Sequence, residues 1–275
     1  MAHSDNQARS VSDEQSRSPG ADPRRAPAPR RSRDLGDLLL DRFFSTGHIL
    51  ETEPIAARMI RVRISAPALR NTRCLPGQHV RIAIGDAAGG LLARVGDLRT
   101  YTVWQFDPER GEFDLCVMDH GDGPGSRWGR AAAPGAQVMF RGPEGSFVVN
   151  DDAPYHLFAG EETASVAFGA MLAAVPDHIP VYGAVETATP EDRLPLPRAA
   201  ALAAPVRGDA SAARSQVLLD AVRELELPST PGVAYLAGEA RTIQMISKHL
   251  VHERDWPRLA IRTKPFWTPG KRGMD

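Results

Sequence analysis

The sequence predicts two units in series: an antiparallel β-barrel over residues 37–150, then an α/β unit on a parallel sheet over residues 151–275. Three observations predict it. Before residue 150, short runs rich in Val, Ile, Phe and Tyr recur between Gly, Pro and Asp punctuation. After it, strand-length apolar runs alternate with helical periodicities. The length, 275 residues, suits two compact domains, and 42% apolar residues can supply their cores.

Residues 1–36 precede both units. They are rich in Ser, Pro and Arg and almost free of large apolar side chains. Such a stretch cannot bury enough surface to offset its ordering entropy, so a disordered, mildly basic, solvated tail is expected. The alternation starts at Phe43. Barrel strands are expected at Met59–Ser65, Gln78–Ile84, Thr100–Phe106, Glu112–Asp119 and Gln137–Arg141. Turns fall at Pro76-Gly77, Gly85-Asp86, Asp107-Pro108, Pro134-Gly135 and Gly142-Pro143.

In the second unit, Tyr155–Ala159 reads as a buried strand and Glu162–Ala174 as a helix. Ile179–Val185 is a strand, and Ser215–Leu225 is a helix with Val217, Leu218, Ala221, Val222 and Leu225 apolar. Val233–Ala237 is a third strand. Residues 239–252 form a helix with Ile243, Ile246 and Leu250 on one face, and Leu259–Arg262 is a last strand. Strand and helix in alternation imply a parallel sheet. The Ala-rich segment Ala199–Ala213 reads as a surface excursion between two such units.

Composition excludes several function classes. A net charge of −1 gives no overall attraction for nucleic acid. The two cysteines, Cys74 and Cys116, form no C-x-x-C, which argues against a zinc ribbon, a thioredoxin-type motif or a disulfide framework. No run approaches the roughly 20 apolar residues that cross a bilayer. The start of the chain lacks a secretory apolar region, so a cytoplasmic protein without membrane insertion is expected.

Two constellations in the barrel carry chemistry. The first is Arg99-Thr100-Tyr101-Thr102-Val103. In a strand Arg99, Tyr101 and Val103 share one face and Thr102 takes the other. A guanidinium can grip a phosphate through two parallel hydrogen bonds, and a tyrosine offers a flat face to a ring such as a flavin. The plainer alternative is a barrel strand with one exposed Arg. The second is Asp119-His120-Gly121-Asp122-Gly123-Pro124-Gly125-Ser126-Arg127-Trp128, a glycine-rich turn that opens a helix. Glycines let backbone N–H groups approach a phosphate, and a helix N-terminus favours negative charge. Its G-x-G-x-G spacing does not meet the dinucleotide fingerprint, and a hairpin turn is the alternative. Together the two segments suit FAD.

On these residues the chain resembles the siderophore-interacting proteins, the ferric-siderophore reductases of the ferredoxin–NADP reductase-like superfamily. The R-x-Y-T of that family is matched by Arg99, Tyr101 and Thr102, and its H-G…G-P…W loop by His120, Gly121, Gly123, Pro124 and Trp128. Its G-D-E-T-A segment corresponds to Gly160-Glu161-Glu162-Thr163-Ala164, and its A-G-E to Ala237-Gly238-Glu239. The C-terminal Y-W stretch with basic residues corresponds to Lys264-Pro265-Phe266-Trp267-Thr268-Pro269-Gly270-Lys271. Departures are Glu161 for Asp, Trp104 where many relatives place a second Arg, and Phe266 for Tyr. Pro265 and Pro269 also stiffen the C-terminal stretch.

The resemblance implies an FAD-binding barrel, an NAD(P)H-binding α/β domain, and reduction of ferric siderophores with release of ferrous iron in the cytoplasm. Arg99 would hold the pyrophosphate, with Tyr101, Thr102 and Val103 at the flavin. Asp119, His120, Gly123, Pro124, Gly125, Ser126 and Trp128 would form the phosphate turn. Glu162, Thr163, Ala164, Gly238, Glu239, Arg241 and Trp267 would line the nicotinamide side. The siderophore would meet Lys264, Lys271 and Arg272. Residues 241–272 hold eight Lys and Arg against two acids, a local excess suited to an anionic ferric complex. NADPH, NADH and a ferredoxin all stand as donors, and a monomer is expected. No side chain need act as general acid or base; positioning would carry the reaction.

Two other readings stay open: a flavin reductase with another acceptor, and a non-enzymatic siderophore-binding protein. The remaining candidates are plainer. His249 and His252, three apart on a helix, are expected to be an exposed pair rather than metal ligands. His79 and His156 are expected to be structural, and Cys116 a small core residue.

Overall fold

The computed structural model describes residues 43–85, 97–150 and 152–271. The expected tail at 1–36, the turn residue Asp86 and Arg272 lie outside the described residues. Six strands close a barrel: β1 (Ser45–Ala56), β2 (Met59–Ser65), β3 (His79–Ala83), β4 (Leu98–Asp107), β5 (Glu112–Met118) and β6 (Gln137–Glu144). Their order is β1-β2-β5-β4-β3-β6, antiparallel throughout. A helix, α1 (Pro124–Ala131), links β5 to β6. Closure leaves no free edge. Inward side chains fill the barrel, with Val62, Ile64, Val80, Ile82, Leu115 and Phe140 fully buried. Phe113 meets Phe140 edge-on at 5.1 Å.

The second unit is a four-stranded parallel sheet of β7 (His156–Glu161), β8 (Val181–Glu186), β9 (Val233–Glu239) and β10 (Ile261–Trp267), in the order β10-β9-β7-β8. Helices α2 (Ser165–Ala174), α3 (Gln216–Arg223) and α4 (Ala240–Glu253) cover it. Leu157, Ala159 and Leu236 face α3 and α4, whereas Phe158 and Tyr235 face α2. Every residue of β7 is buried, as a central parallel strand covered on both faces should be. The second helix starts at Ser165, not at the expected Glu162, because residues 161–164 form a turn held by the Glu161 carboxylate.

The Ala-rich segment does more than loop over the surface. Residues 203–206 make parallel bridges beside β8, at Ala203 with Ala184 and Val206 with Thr187. That tether shields the β8 edge and carries Arg207 into the interior.

α2 is apolar around its whole circumference because it is covered twice. The sheet takes one side, and Trp104 of β4 takes the other. Trp104 sits at a register shift between Val103 and Gln105, a bulge that aims it out of the barrel. Its ring fills the space over Gly169, where a Cβ would come within 2.1 Å of it. Met59, Cys116, Val166 and Leu194 complete this junction cluster.

Candidate functional site

The barrel strand and the glycine turn meet. A Cβ on Gly125 would stand 2.8 Å from the Tyr101 hydroxyl oxygen. The Tyr101 and Trp128 rings lie 5.6 Å apart, tilted by 30°. Burial pushes the Tyr101 hydroxyl well above its ordinary pKa, so it stays a neutral donor. Arg99 lies on the same face of β4. Its Nη1 is 2.5 Å from Asp97 Oδ1 and also donates to the Leu98 carbonyl oxygen at 2.9 Å. Thr102 takes the opposite face, paired in register with His79 of β3. Val103 belongs to the barrel core.

The turn is braced from within. Ser126 Oγ accepts from the His120 amide at 3.1 Å, Asp119 Oδ1 accepts from the Gly121 amide, and Arg130 pairs with Asp119 at 2.5 Å. Gly123 caps α1 with no side chain, and Pro124 stands in its first turn, where a missing N–H is harmless. A Cβ built on Gly121 meets no atom within 4 Å. A braced turn with glycines at 121, 123 and 125, ending in a helix N-terminus that touches the β4 face carrying Arg99 and Tyr101, fits the diphosphate and ring of FAD.

The second half of the site lies at the carboxyl ends of the sheet. β8 and β9 flank β7 on opposite sides, so the chain direction switches between β7 and β9, where open parallel sheets take their ligands. Four carboxylates end up buried there: Glu161, Glu162, Glu186 and Glu239, each 2% exposed or less. Each has specific partners. Glu161 accepts from the Thr163 amide at 2.8 Å, from the Thr163 hydroxyl, and from Trp267 Nε1 at 2.9 Å. Glu162 is clasped by Arg58 at 2.9 Å and by Arg207 at 2.5 Å. Glu186 binds Arg207 and the Ser215 hydroxyl. Glu239 caps α4 through the Arg241 and Thr242 amides and accepts from Thr268 Oγ1 at 2.9 Å.

Close backbone approach makes this possible. Gly238 has φ +112°, and a Cβ there would stand 2.6 Å from Glu161 Oε1, so glycine is required. The Ala164 backbone starts α2, and the Arg241 side chain is exposed. Lys264 is half-buried on β10, close enough to His79 to lower its pKa further, after the larger effect of burial. Lys271 is exposed. His249 corrects the expectation of an exposed pair. It is buried, bonded to Glu253 at 2.8 Å and to Arg254 at 3.2 Å, because its place on α4 faces the α3 side; His252 is exposed.

Burial first, and then the neighbouring Glu162, push the Glu161 carboxyl up to about 7 from 4.5. The folded state therefore holds a proton there that the unfolded chain gives up. Stability from this group is intact below pH 4.5, falls as pH rises towards 7, and levels off above that, by about 3 kcal/mol in all. Glu161→Gln cannot titrate. The stability gap between parent and variant should narrow by that order between pH 5 and pH 8 in urea melts. A gap independent of pH would show that Glu161 stays ionised.

Residues 153–270 match the family described as siderophore-interacting protein, and residues 92–147 match the siderophore-interacting FAD-binding domain. The chain belongs to the siderophore-interacting protein family. Similar curated proteins include the ferric vibriobactin reductase of Vibrio cholerae, 29% identical over 71% of this chain and 78% of that protein. The mycobactin import ATP-binding/permease protein of Mycolicibacterium smegmatis is 27% identical over 89% of this chain. This chain spans 29% of that transporter's length. Among solved structures, a siderophore utilization protein from T. fusca superposes with a TM-score of 0.73 at 24% identity, covering 84% of this chain and 95% of that one. The ferredoxin reductase of carbazole 1,9a-dioxygenase gives 0.63 at 18% identity, covering 82% and 69%. At these identities the superpositions show a shared fold. In this siderophore-interacting protein, no helix among the described residues is long and apolar enough to cross a membrane.

Reading the sequence missed Arg58, Arg207 and Ser215, which hold the buried acids, and Asp192, a further buried acid that Arg58 binds. Arg58 joins Asp192 across 134 positions of the chain, so no local pattern could announce the pair. Glu162, assigned to the nicotinamide side, spends its carboxylate on these arginines.

Proposed function

We propose that this chain is a flavin-dependent reductase that moves electrons from NADPH or NADH, through FAD, to a ferric siderophore in the cytoplasm. The observation that carries the reading is the contact of Tyr101 with Gly125 and Trp128, which joins the arginine-bearing strand to the glycine turn. Bound FAD would accept electrons in pairs from a nicotinamide and release them singly.

Arg99 would leave Asp97 to hold the diphosphate, with backbone donors from residues 120–126. Tyr101 and Thr102 would seat the ring, and Val103, expected beside them, lies behind in the barrel core. Thr163, Ala164, Gly238 and Trp267, at the switch point, would meet the nicotinamide, and Glu161 and Glu239 would fix that wall. Lys264 and Lys271, with Arg272 beyond the described residues, would attract an anionic iron complex. Ferric ion is a hard acid. One added electron weakens its hold on oxygen ligands, so no proton-transfer residue is needed for release.

The test is optical. The purified protein should be yellow, bleach anaerobically with NADPH or NADH, and recover its colour when a ferric catecholate or hydroxamate is added. A folded sample that stays colourless with added FAD overturns the reading. Bleaching without recovery would move the acceptor elsewhere.

A further inference from the structure

His79 is a buried titratable side chain that the reaction above does not use. It stands on β3, 8% exposed. Glu144 of β6 brings Oε1 to 3.9 Å from its Nε2, beyond hydrogen-bond reach. That carboxylate is spent on Arg81 and Arg141, each at 3.1 Å. Gly145 has φ +111°, and a Cβ there would stand 2.8 Å from His79 Nδ1 and Cε1. Bare backbone therefore makes room for the ring. Lys264 of β10 lies close enough to act on its charge, so the imidazole sits in the seam between barrel and sheet. Among the described residues, neither ring nitrogen has a hydrogen bond. An imidazole held in place but bonded to nothing can both take up and give up a proton.

Its other neighbour is Thr102. His79 and Thr102 are directly opposed on β3 and β4. Such a pair shares a face of the sheet, with Cβ atoms about 5 Å apart. Thr102 is the residue assigned to the flavin ring, so His79 stands one side chain away from that ring.

The reaction leaves a proton at this place. A nicotinamide delivers a hydride, which is two electrons and a proton. Two ferric ions take one electron each. NADPH and two ferric ions thus become NADP⁺, two ferrous ions and one proton, and that proton remains on the flavin until the electrons go. We propose that His79 accepts it: a flavin N–H bond breaks as the electrons pass to iron, an imidazole N–H bond forms, and the proton then leaves for solvent. The inference rests on the reductase reading. The charges around the ring suit a base that empties again. Burial first, then Lys264 and Arg81, lower the His79 pKa, while Glu144 opposes them. The ring is therefore neutral when the proton arrives, and the two cations favour its departure.

The two half-reactions separate this role from a structural one. Holoprotein reduced with dithionite would be mixed anaerobically with a ferric trihydroxamate, and flavin colour followed across pH. In the parent the rate should rise with pH through the His79 pKa, below the ordinary histidine value, and level off above it. His79→Gln should recolour about 100-fold more slowly, with no pH dependence and no solvent deuterium effect. Bleaching by NADPH, which brings its own proton, should keep the parent's rate in the same variant. Should glutamine disturb the strand, His79→Asn takes its place. A second reading needs no turnover. In histidine-labelled protein the His79 ring signal, identified by its absence from the variant, should shift when FAD is loaded.

Recolouring at the parent's rate with the parent's pH profile in the variant overturns the proposal, and so does a His79 signal that FAD leaves unmoved. A parent that takes up no FAD, or whose reduced flavin ignores the ferric complex, overturns the reductase reading and this inference with it.

Discussion

Arg207→Ala should lower stability by roughly 3–5 kcal/mol, the usual loss when one partner of a buried ion pair is removed. The Arg207 side chain is 8% exposed and bridges two carboxylates, Glu162 at 2% and Glu186 at 0%. Without it, among the described residues, Glu162 keeps Arg58 and Glu186 keeps the Ser215 hydroxyl. Burial already pushes the Glu186 carboxyl above its ordinary range, and Arg207 is one of the groups that oppose this. The variant should therefore hold a proton on Glu186 up to a higher pH than the parent does. Its deficit should shrink at acid pH, where that proton comes without penalty. Adding Glu186→Gln and Glu162→Gln to Arg207→Ala should recover much of the loss. Urea denaturation at pH 5 and pH 8 measures all of these. A single variant within about 1 kcal/mol of the parent would show that solvent reaches the cluster.

Arg99→Ala should weaken FAD retention by about one to two orders of magnitude, since each bond to a charged group contributes about 1.5–3 kcal/mol. Arg99→Lys should fall between, because an ammonium keeps the charge and loses the fork. The fold should survive both changes. Arg99 is part-exposed, and its present partners are Asp97 and a backbone carbonyl. Fluorescence of flavin released on dilution gives the affinities. Parent-like retention in the alanine variant would remove Arg99 from the phosphate site.

Much of the architecture could be read from one sequence. β2 falls at the expected residues because Met59–Ser65 alternates cleanly between turns. The motif order also pointed to the right family. What stayed hidden has physical causes. β1 carries Glu51 and Glu53, which pair with Arg61 across the hairpin, so charges interrupt the alternation that begins at Phe43 and no strand was marked off there. The segment 199–213 looked like a surface loop because its pairing with β8 is two isolated bridges without strand periodicity. Trp104 drew notice only for the arginine it replaced; its partner Gly169 is far along the chain. One clue was readable. The run Ser165–Ala174 has no charged residue and no polar one after Ser165, the pattern of a helix with no solvent face.

The wedge of Trp104 over Gly169 has a consequence for inheritance. The indole at 104 forbids any side chain at 169, so the glycine cannot change first. A small residue at 104 would open a void above 169, and only then could that glycine be replaced. Arg58 also ties the β1–β2 hairpin to Glu162 and Asp192, so barrel and sheet are held together by an ion-pair clasp as well as by the indole. On the reductase reading, discrimination among iron carriers would fall to the rim residues, which can vary without disturbing that clasp.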